Sequence, residues 1–144
     1  MMDPAGRNAS TLKGLRVLIV EDEPLLAVCL GEVVEAEGCV VVGTASTIAE
    51  ATAMVATATY DVALLDLCLH GRPVGAIATA IIERGCAVVF STGSGASDVP
   101  VAFQGWPVLC KPYKDQDVFA ALASAVGVRL PPIEIGDARS ERTQ

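Results

Sequence analysis

Arg16-Val-Leu-Ile-Val20 is followed at once by Glu21-Asp-Glu-Pro24, and then by Leu26, Cys29, Leu30, Val33 and Val34 at helical spacing as far as Gly38. An apolar run containing β-branched residues reads as a strand buried on both faces. Proline at a first helical position, a 3.6-residue apolar period and a closing glycine read as a helix. The unit then repeats. Cys39 to Gly43 reads as a second strand, and Ser46 as the N-cap of an Ala-rich helix to about Ala58. Asp61-Val-Ala-Leu-Leu-Asp66 is a third strand that ends on a carboxylate and leads into a polar loop. Residues 74 to 84 form a third helix closed by Gly85, and Cys86-Ala-Val-Val-Phe-Ser91 a fourth strand.

The next segment, Gly93-Ser-Gly-Ala-Ser-Asp98 with Pro100, puts breakers where a fourth helix belongs, so a short or irregular helix is expected there. Pro107-Val-Leu-Cys110 is a short fifth strand. Asp115 or Asp117 starts a last helix with Val118, Phe119, Leu122 and Val126 turned inward. Strand and helix alternating in this way imply an α/β fold, a parallel sheet covered by helices on both faces. Residues 1–14 read as a flexible N-terminal segment, 15–128 as one domain, and 129–144, with Pro131-Pro132 and a polar end, as an extended tail without room for an effector domain.

Composition narrows the function. With 144 residues, 52% hydrophobic and 19% charged, the chain can bury one core. A net charge of −7 argues against direct nucleic-acid binding, which draws on clustered Lys and Arg. No apolar run approaches the roughly 20 residues that span a bilayer, and Met1 to Ser10 lacks the apolar centre of a secretory signal, so the cytoplasm is the expected compartment. Cys29, Cys39, Cys68, Cys86 and Cys110 are odd in number, lack a C-x-x-C pair and sit among apolar neighbours, which reads as reduced, buried thiols.

In doubly wound sheets ligands bind at the carboxyl ends of the strands, and there the polar residues gather. Glu21-Asp22-Glu23 follows strand one, Asp66 ends strand three, Ser91-Thr92 end strand four and Lys111 follows strand five. Carboxylates brought this close repel unless protons or a cation neutralise them. Mg²⁺ answers that need, because it favours oxygen ligands and combines one or two carboxylates with waters and a phosphate oxygen. Asp22 and Asp66 fit as direct ligands. Lys111 adds a compact positive charge, and the Thr92 hydroxyl can hydrogen-bond an anion's oxygens. Carboxylate, cation, ammonium and hydroxyl together suit phosphoryl transfer, with Asp66 as the nucleophile.

Val-Leu-Ile-Val-Glu21-Asp22-Glu-Pro, Val-Ala-Leu-Leu-Asp66-Leu, Val-Phe-Ser-Thr92-Gly and Val-Leu-Cys-Lys111-Pro112 resemble, in order and spacing, the blocks of response-regulator receiver domains. The resemblance spans about residues 15 to 127. It implies a flavodoxin-like five-stranded sheet of order 2-1-3-4-5, phosphorylated on aspartate with Mg²⁺ or Mn²⁺ by a histidine kinase or a histidine phosphotransfer protein. It further implies that Asp66 is the phosphoacceptor, that Asp22 and the Cys68 backbone carbonyl hold the metal directly, and that Glu21 does so through water. Thr92 and Lys111 match the switch hydroxyl and the phosphate-binding lysine. Such a domain takes part in its own phosphorylation but is not a turnover enzyme, and it signals through a protein partner or serves as a phosphate sink.

Two departures stand out. Glu21 replaces the commoner aspartate, and Val108 occupies the place of an aromatic switch residue three positions before the lysine. Phe90-Ser-Thr92-Gly-Ser94, the breaker-rich segment after it and Lys111-Pro112-Tyr113 resemble the FAT GUY subgroup of single-domain receivers, which implies kinases of alphaproteobacterial stress pathways.

Other features read more plainly. Glu23 is a solvated residue of the first helical turn. His70, the single histidine, is a surface loop residue, with a metal ligand or a gate over Asp66 as the sharper alternative. Trp106 is a packing anchor ahead of a partner contact. Gly93-Ser-Gly95 lacks the lysine spacing of a nucleotide loop. A receiver-like scaffold that is never phosphorylated is the rival function. A haloacid-dehalogenase-type phosphatase would need an aspartate where Cys68 stands.

Overall fold

The computed structural model describes residues 12–127. In chain order the elements are β1 (Arg16–Val20), α1 (Pro24–Ala36), β2 (Val40–Ala45), α2 (Ile48–Thr57), β3 (Val62–Asp66), β4 (Cys68–Leu69), β5 (Arg72–Pro73), α3 (Gly75–Glu83), β6 (Ala87–Thr92), β7 (Val108–Cys110) and α4 (Asp115–Val126). Five strands form one sheet in the order β2-β1-β3-β6-β7, every pairing parallel. This is the flavodoxin-like arrangement expected. β4 and β5 form a separate antiparallel hairpin.

The central strands β1, β3 and β6 are buried on both faces because their middle positions are apolar, so alternate side chains feed two separate layers. Leu18, Val20, Ala63, Leu65, Val88 and Phe90 face α2 and α3, where Ala51, Val55, Ile77, Ala78 and Ile81 meet them. Val17, Ile19, Val62, Leu64, Ala87 and Val89 face α1 and α4, against Ala27, Leu30, Val34, Val118 and Leu122. Trp106 packs against both layers, as an anchor should. At the opposite end from the polar cluster, Asp61 Oδ2 accepts from the Arg16 backbone N–H at 2.8 Å and from Nε at 3.1 Å, tying the start of β1 to the entry of β3. That partner holds the Asp61 carboxyl below its ordinary value.

Several local expectations shift. The N-cap of α2 is Thr47, whose Oγ1 accepts from Glu50 N–H at 3.1 Å, while Ser46 donates its N–H and hydroxyl to Glu50 Oε1. α4 starts at Asp115, one of the two positions expected, and the N–H of its N-cap Lys114 donates to Asp117 Oδ2 at 2.8 Å, so Asp117 caps from inside the first turn. The breaker-rich segment forms two 3-10 turns, Ala96–Asp98 and Val101–Phe103, the short and irregular helix expected there. The cysteines depart furthest from expectation. Cys39 is buried and Cys86 half-buried, but Cys29, Cys68 and Cys110 are exposed. A strand or helix edge surrounded by apolar neighbours in sequence still turns some positions outward, and these three occupy them.

Among the described residues, Leu12 is already buried in the α1/α4 layer, ahead of the expected boundary at residue 15. The expectations for residues 1–11 and for the tail from residue 128 lie outside the described residues. Among the described residues no helix is long and apolar enough to cross a membrane.

Candidate functional site

Strand register assembles the site. Val20 lies beside both Ala45 and Leu65, Asp66 beside Ser91, and Thr92 beside Cys110, so the carboxyl ends of β1, β3, β6 and β7 finish at one level. Backbone bonds fix the residues just past those ends: Glu21 N–H to Ala45 O at 3.0 Å, Leu67 N–H to Ser91 O at 3.0 Å, and Lys111 N–H to Thr92 O at 2.8 Å. Glu21, Asp22, Asp66, Thr92 and Lys111, singled out from sequence, therefore stand together.

Glu21, Asp66 and Thr92 are buried, although residues of their kind normally face water. One carboxylate oxygen from each of Glu21, Asp22 and Asp66 lies within 4.8 Å of the others. Lys111 Nζ is 3.3 Å from Asp66 Oδ2 and 3.4 Å from Glu21 Oε1. Burial opposes its charge, but the Asp66 and Glu21 carboxylates outweigh burial and hold Lys111 above its ordinary value. One ammonium against three carboxylates leaves the cluster short of positive charge.

Glu21 registers that shortage most strongly. Its Oε2 accepts from Glu23 N–H at 3.1 Å, whereas Oε1 is buried without a hydrogen-bond donor. Burial pushes its carboxyl up to about 7; the Asp66 charge adds to the shift, and the Glu23 N–H and Lys111 oppose it. A buried carboxylate oxygen that makes no hydrogen bond, has the Lys111 ammonium 3.4 Å away and faces two further carboxylates belongs to a donor set that a hard divalent cation fits. The residues present fit Mg²⁺.

The remaining members frame the cluster. Asp66 Oδ1 accepts from Cys68 N–H at 3.3 Å. Thr92 Oγ1 accepts from Ser94 N–H at 3.0 Å, which leaves its hydroxyl proton free to donate. Asp66, Cys68, Thr92, Ser94 and Phe103 line a cleft of about 340 Å³, so the first carboxylate is reached from one open side. Val108 packs toward the α2/α3 layer without aromatic reach. Glu23 is the N-cap of α1, one step before the turn in which it was expected, and is exposed.

Two features escaped sequence reasoning. Tyr113 has a buried hydroxyl without a partner; burial, then the Glu21 and Asp66 charges, push it up to about 12. Its place two residues after Lys111 was the available signal. His70 is exposed, as the plainer reading holds, but its backbone N–H donates to Asp22 Oδ2 at 2.7 Å, a contact between residues 48 apart that no local pattern encodes.

The arrangement offers a buried carboxylate, an ammonium beside it, two further carboxylates close by and a hydroxyl lining the same cleft. Residues 17–123 match the model of the response regulator receiver domain family, and the chain belongs to that family of signalling domains. Among solved structures it is similar to SdrG from Sphingomonas melonis Fr1, at 38% identity over 78% of this chain and 97% of that one, with a TM-score of 0.71. It is also similar to the receiver domain of the Erythrobacter litoralis PhyR response regulator, at 26% identity over 85% of this chain and 98% of that one, TM-score 0.69. A third, the anti-anti-sigma factor PhyR from Bartonella quintana, is 27% identical over 85% of this chain with a TM-score of 0.71, and the chain covers 51% of its length. No curated protein matches the sequence.

Proposed function

We propose that this chain is a phosphoacceptor of two-component signalling in which Asp66 takes a phosphoryl group from a histidine kinase or a histidine phosphotransfer protein. The observation that carries the reading is the Asp66 carboxylate, buried at the end of β3 with Lys111 Nζ 3.3 Å away and the Glu21 and Asp22 carboxylates beside it. Asp22, Asp66 and the Cys68 carbonyl would hold Mg²⁺ or Mn²⁺, with Glu21 acting through water. The cation would neutralise the carboxylates and draw charge from the phosphoryl oxygens. An Asp66 oxygen forms the new O–P bond as the N–P bond of the donor imidazole breaks, and the imidazole leaves with the electron pair. Lys111 pairs with one phosphoryl oxygen and the Thr92 hydroxyl donates to another.

Turning Thr92 toward the phosphoryl group removes the acceptor of Ser94 N–H, so the segment from Thr92 to Tyr113 is the part whose population shifts. With Val108 in place of an aromatic, that shift is read without the ring rotation that an aromatic would supply. The output is binding to a protein partner, or withdrawal of phosphoryl groups from the kinase. The likeness to PhyR, described for one relative as an anti-anti-sigma factor, supports a regulator of transcription initiation acting through protein contacts, and the FAT GUY assignment belongs to the same reading.

Incubation with Mg²⁺ and a small acyl phosphate is expected to yield a hydroxylamine-labile adduct by mass spectrometry, absent in Asp66→Asn and greatly slowed in Lys111→Ala. If no adduct forms, even with histidine kinases of the host as donors, the constitutive scaffold becomes the better description.

A further inference from the structure

The segment from Thr92 to Tyr113 holds three aromatic residues, Phe103, Trp106 and Tyr113. Tyr113 packs against the α1/α4 layer, and Trp106 lines a groove at the opposite end of the sheet with Asp61 and Gly85. Phe103 is the one that lines the cleft beside Asp66 and Thr92. Its ring is held on two sides. The ring centroid lies 5.6 Å from that of Phe90, tilted by 43°, and a Cβ placed on Gly75, the first residue of α3, would stand 3.9 Å from Phe103 Cε2. Alternate residues of a strand point to the same face, so Phe90 and Thr92 share the face of β6 that Phe103 covers. The turn around this ring is otherwise exposed: Val101 is 82% exposed, and Ala102, Gln104 and Gly105 also face water.

We propose that Phe103 is the latch of this segment: its ring holds the turn on the cleft while Thr92 is bonded to Ser94, and yields when Thr92 turns to a phosphoryl group on Asp66. The inference rests on the phosphoacceptor reading. Thr92 carries a methyl and a hydroxyl on one Cβ. A χ1 rotation that brings the hydroxyl to a phosphoryl oxygen therefore moves the methyl to another staggered position, on the face that Phe103 covers. Close-packed side chains answer a displaced methyl by changing place, since they compress little. The cleft of about 340 Å³ gives the ring room to move, and Val108, the neighbour of Phe90 across the β6–β7 pairing, has no ring of its own to take up the change. The backbone passes the movement on, because Phe103 N–H donates to Pro100 O at 2.9 Å and Trp106 N–H to Phe103 O at 3.3 Å. Exposed Val101 lies on the same turn and moves with it, so the state of Asp66 reaches the surface.

Trp106 is the single tryptophan of the chain, so its emission reports the turn. Wild type, Phe103→Leu, Phe103→Ala and Val101→Ala are treated with acetyl phosphate and Mg²⁺, the adduct is counted by mass spectrometry, and emission is compared before and after at equal adduct. Wild type and Val101→Ala should show a shift on phosphorylation. Phe103→Ala should start at the emission that wild type reaches only when phosphorylated. In Phe103→Leu, which fills the same place without a ring, the shift should be lost while circular dichroism stays that of the folded chain. A shift in Phe103→Leu equal to that of wild type overturns the proposal, as does loss of the shift in Val101→Ala, which would mark a general loosening of the turn. A wild type that carries the adduct with unchanged emission overturns it too. Should the wild type form no adduct, the phosphoacceptor reading falls and the latch with it, a result distinct from an adduct without a shift.

Discussion

Glu21 shows how much one side chain can register about its surroundings. Its carboxyl is buried, one oxygen makes no hydrogen bond and has only the Lys111 ammonium at 3.4 Å, and the group is raised from 4.5 to about 7, first by burial and then by the Asp66 charge. A folded-state value above the unfolded one means that the folded protein keeps a proton the unfolded chain has released. The associated stability is full below about 4.5 and is lost as pH rises through about 7. Each unit of separation corresponds to about 1.4 kcal/mol. Urea unfolding of metal-free protein should therefore give a midpoint that declines across this interval, and Glu21→Gln should flatten the decline. A wild-type midpoint that is level from acid to neutral pH would contradict the placement of Glu21 as a buried carboxyl beside Asp66. Added Mg²⁺ should restore the midpoint at neutral pH, because it neutralises the charge that burial penalises.

At the scale of elements, α2 depends on how its first turn is closed. Thr47 Oγ1 satisfies the Glu50 N–H and Glu50 reaches back to Ser46, a reciprocal arrangement that occupies backbone donors otherwise left open. Replacing Thr47 with Ala should cost about 1 kcal/mol in chemical denaturation, and Ser46→Ala less, since Ser46 N–H remains to bond Glu50. The order of the two costs would be reversed if Ser46 were the cap, as its position in the sequence suggests. The hairpin of β4 and β5 works differently. It has only two residues in each strand, so its placement over the acidic cluster rests on the His70 to Asp22 bond more than on its own ladder.

The whole molecule is a sheet insulating two apolar layers. Ile19 belongs to the layer under α1 and α4, Ile81 to the layer under α2 and α3, and both are fully buried. Ile19→Val and Ile81→Val should each cost about 1 kcal/mol, and the double variant should cost their sum, because the sheet keeps their surroundings apart. A double variant departing from that sum by more than about 0.5 kcal/mol would show that strain passes through the sheet. The same rigidity serves the site. Four strand ends held in register carry the acids, the hydroxyl and the lysine, leaving the segment after Thr92, with its two 3-10 turns, as the part free to change.

The alternation of strands and helices, the parallel sheet and the set Glu21, Asp22, Asp66, Thr92 and Lys111 are legible in the chain before it folds. Those follow from apolar runs, spacing and breakers, which act within a few residues, and from four motif blocks in register. The cap of α2 was misplaced, because Ser46 and Thr47 offer similar chemistry one residue apart. The fold also turns outward three cysteines whose sequence reads as buried, since facing depends on what packs opposite. Three features emerge only once the chain is folded: Glu21 Oε1 is buried with the Lys111 ammonium 3.4 Å away, the Tyr113 hydroxyl is sealed in near the acids, and His70 is tied to Asp22. These are contacts between residues far apart in the chain, set by strand register and by the closing of a hairpin, and no local pattern carries them.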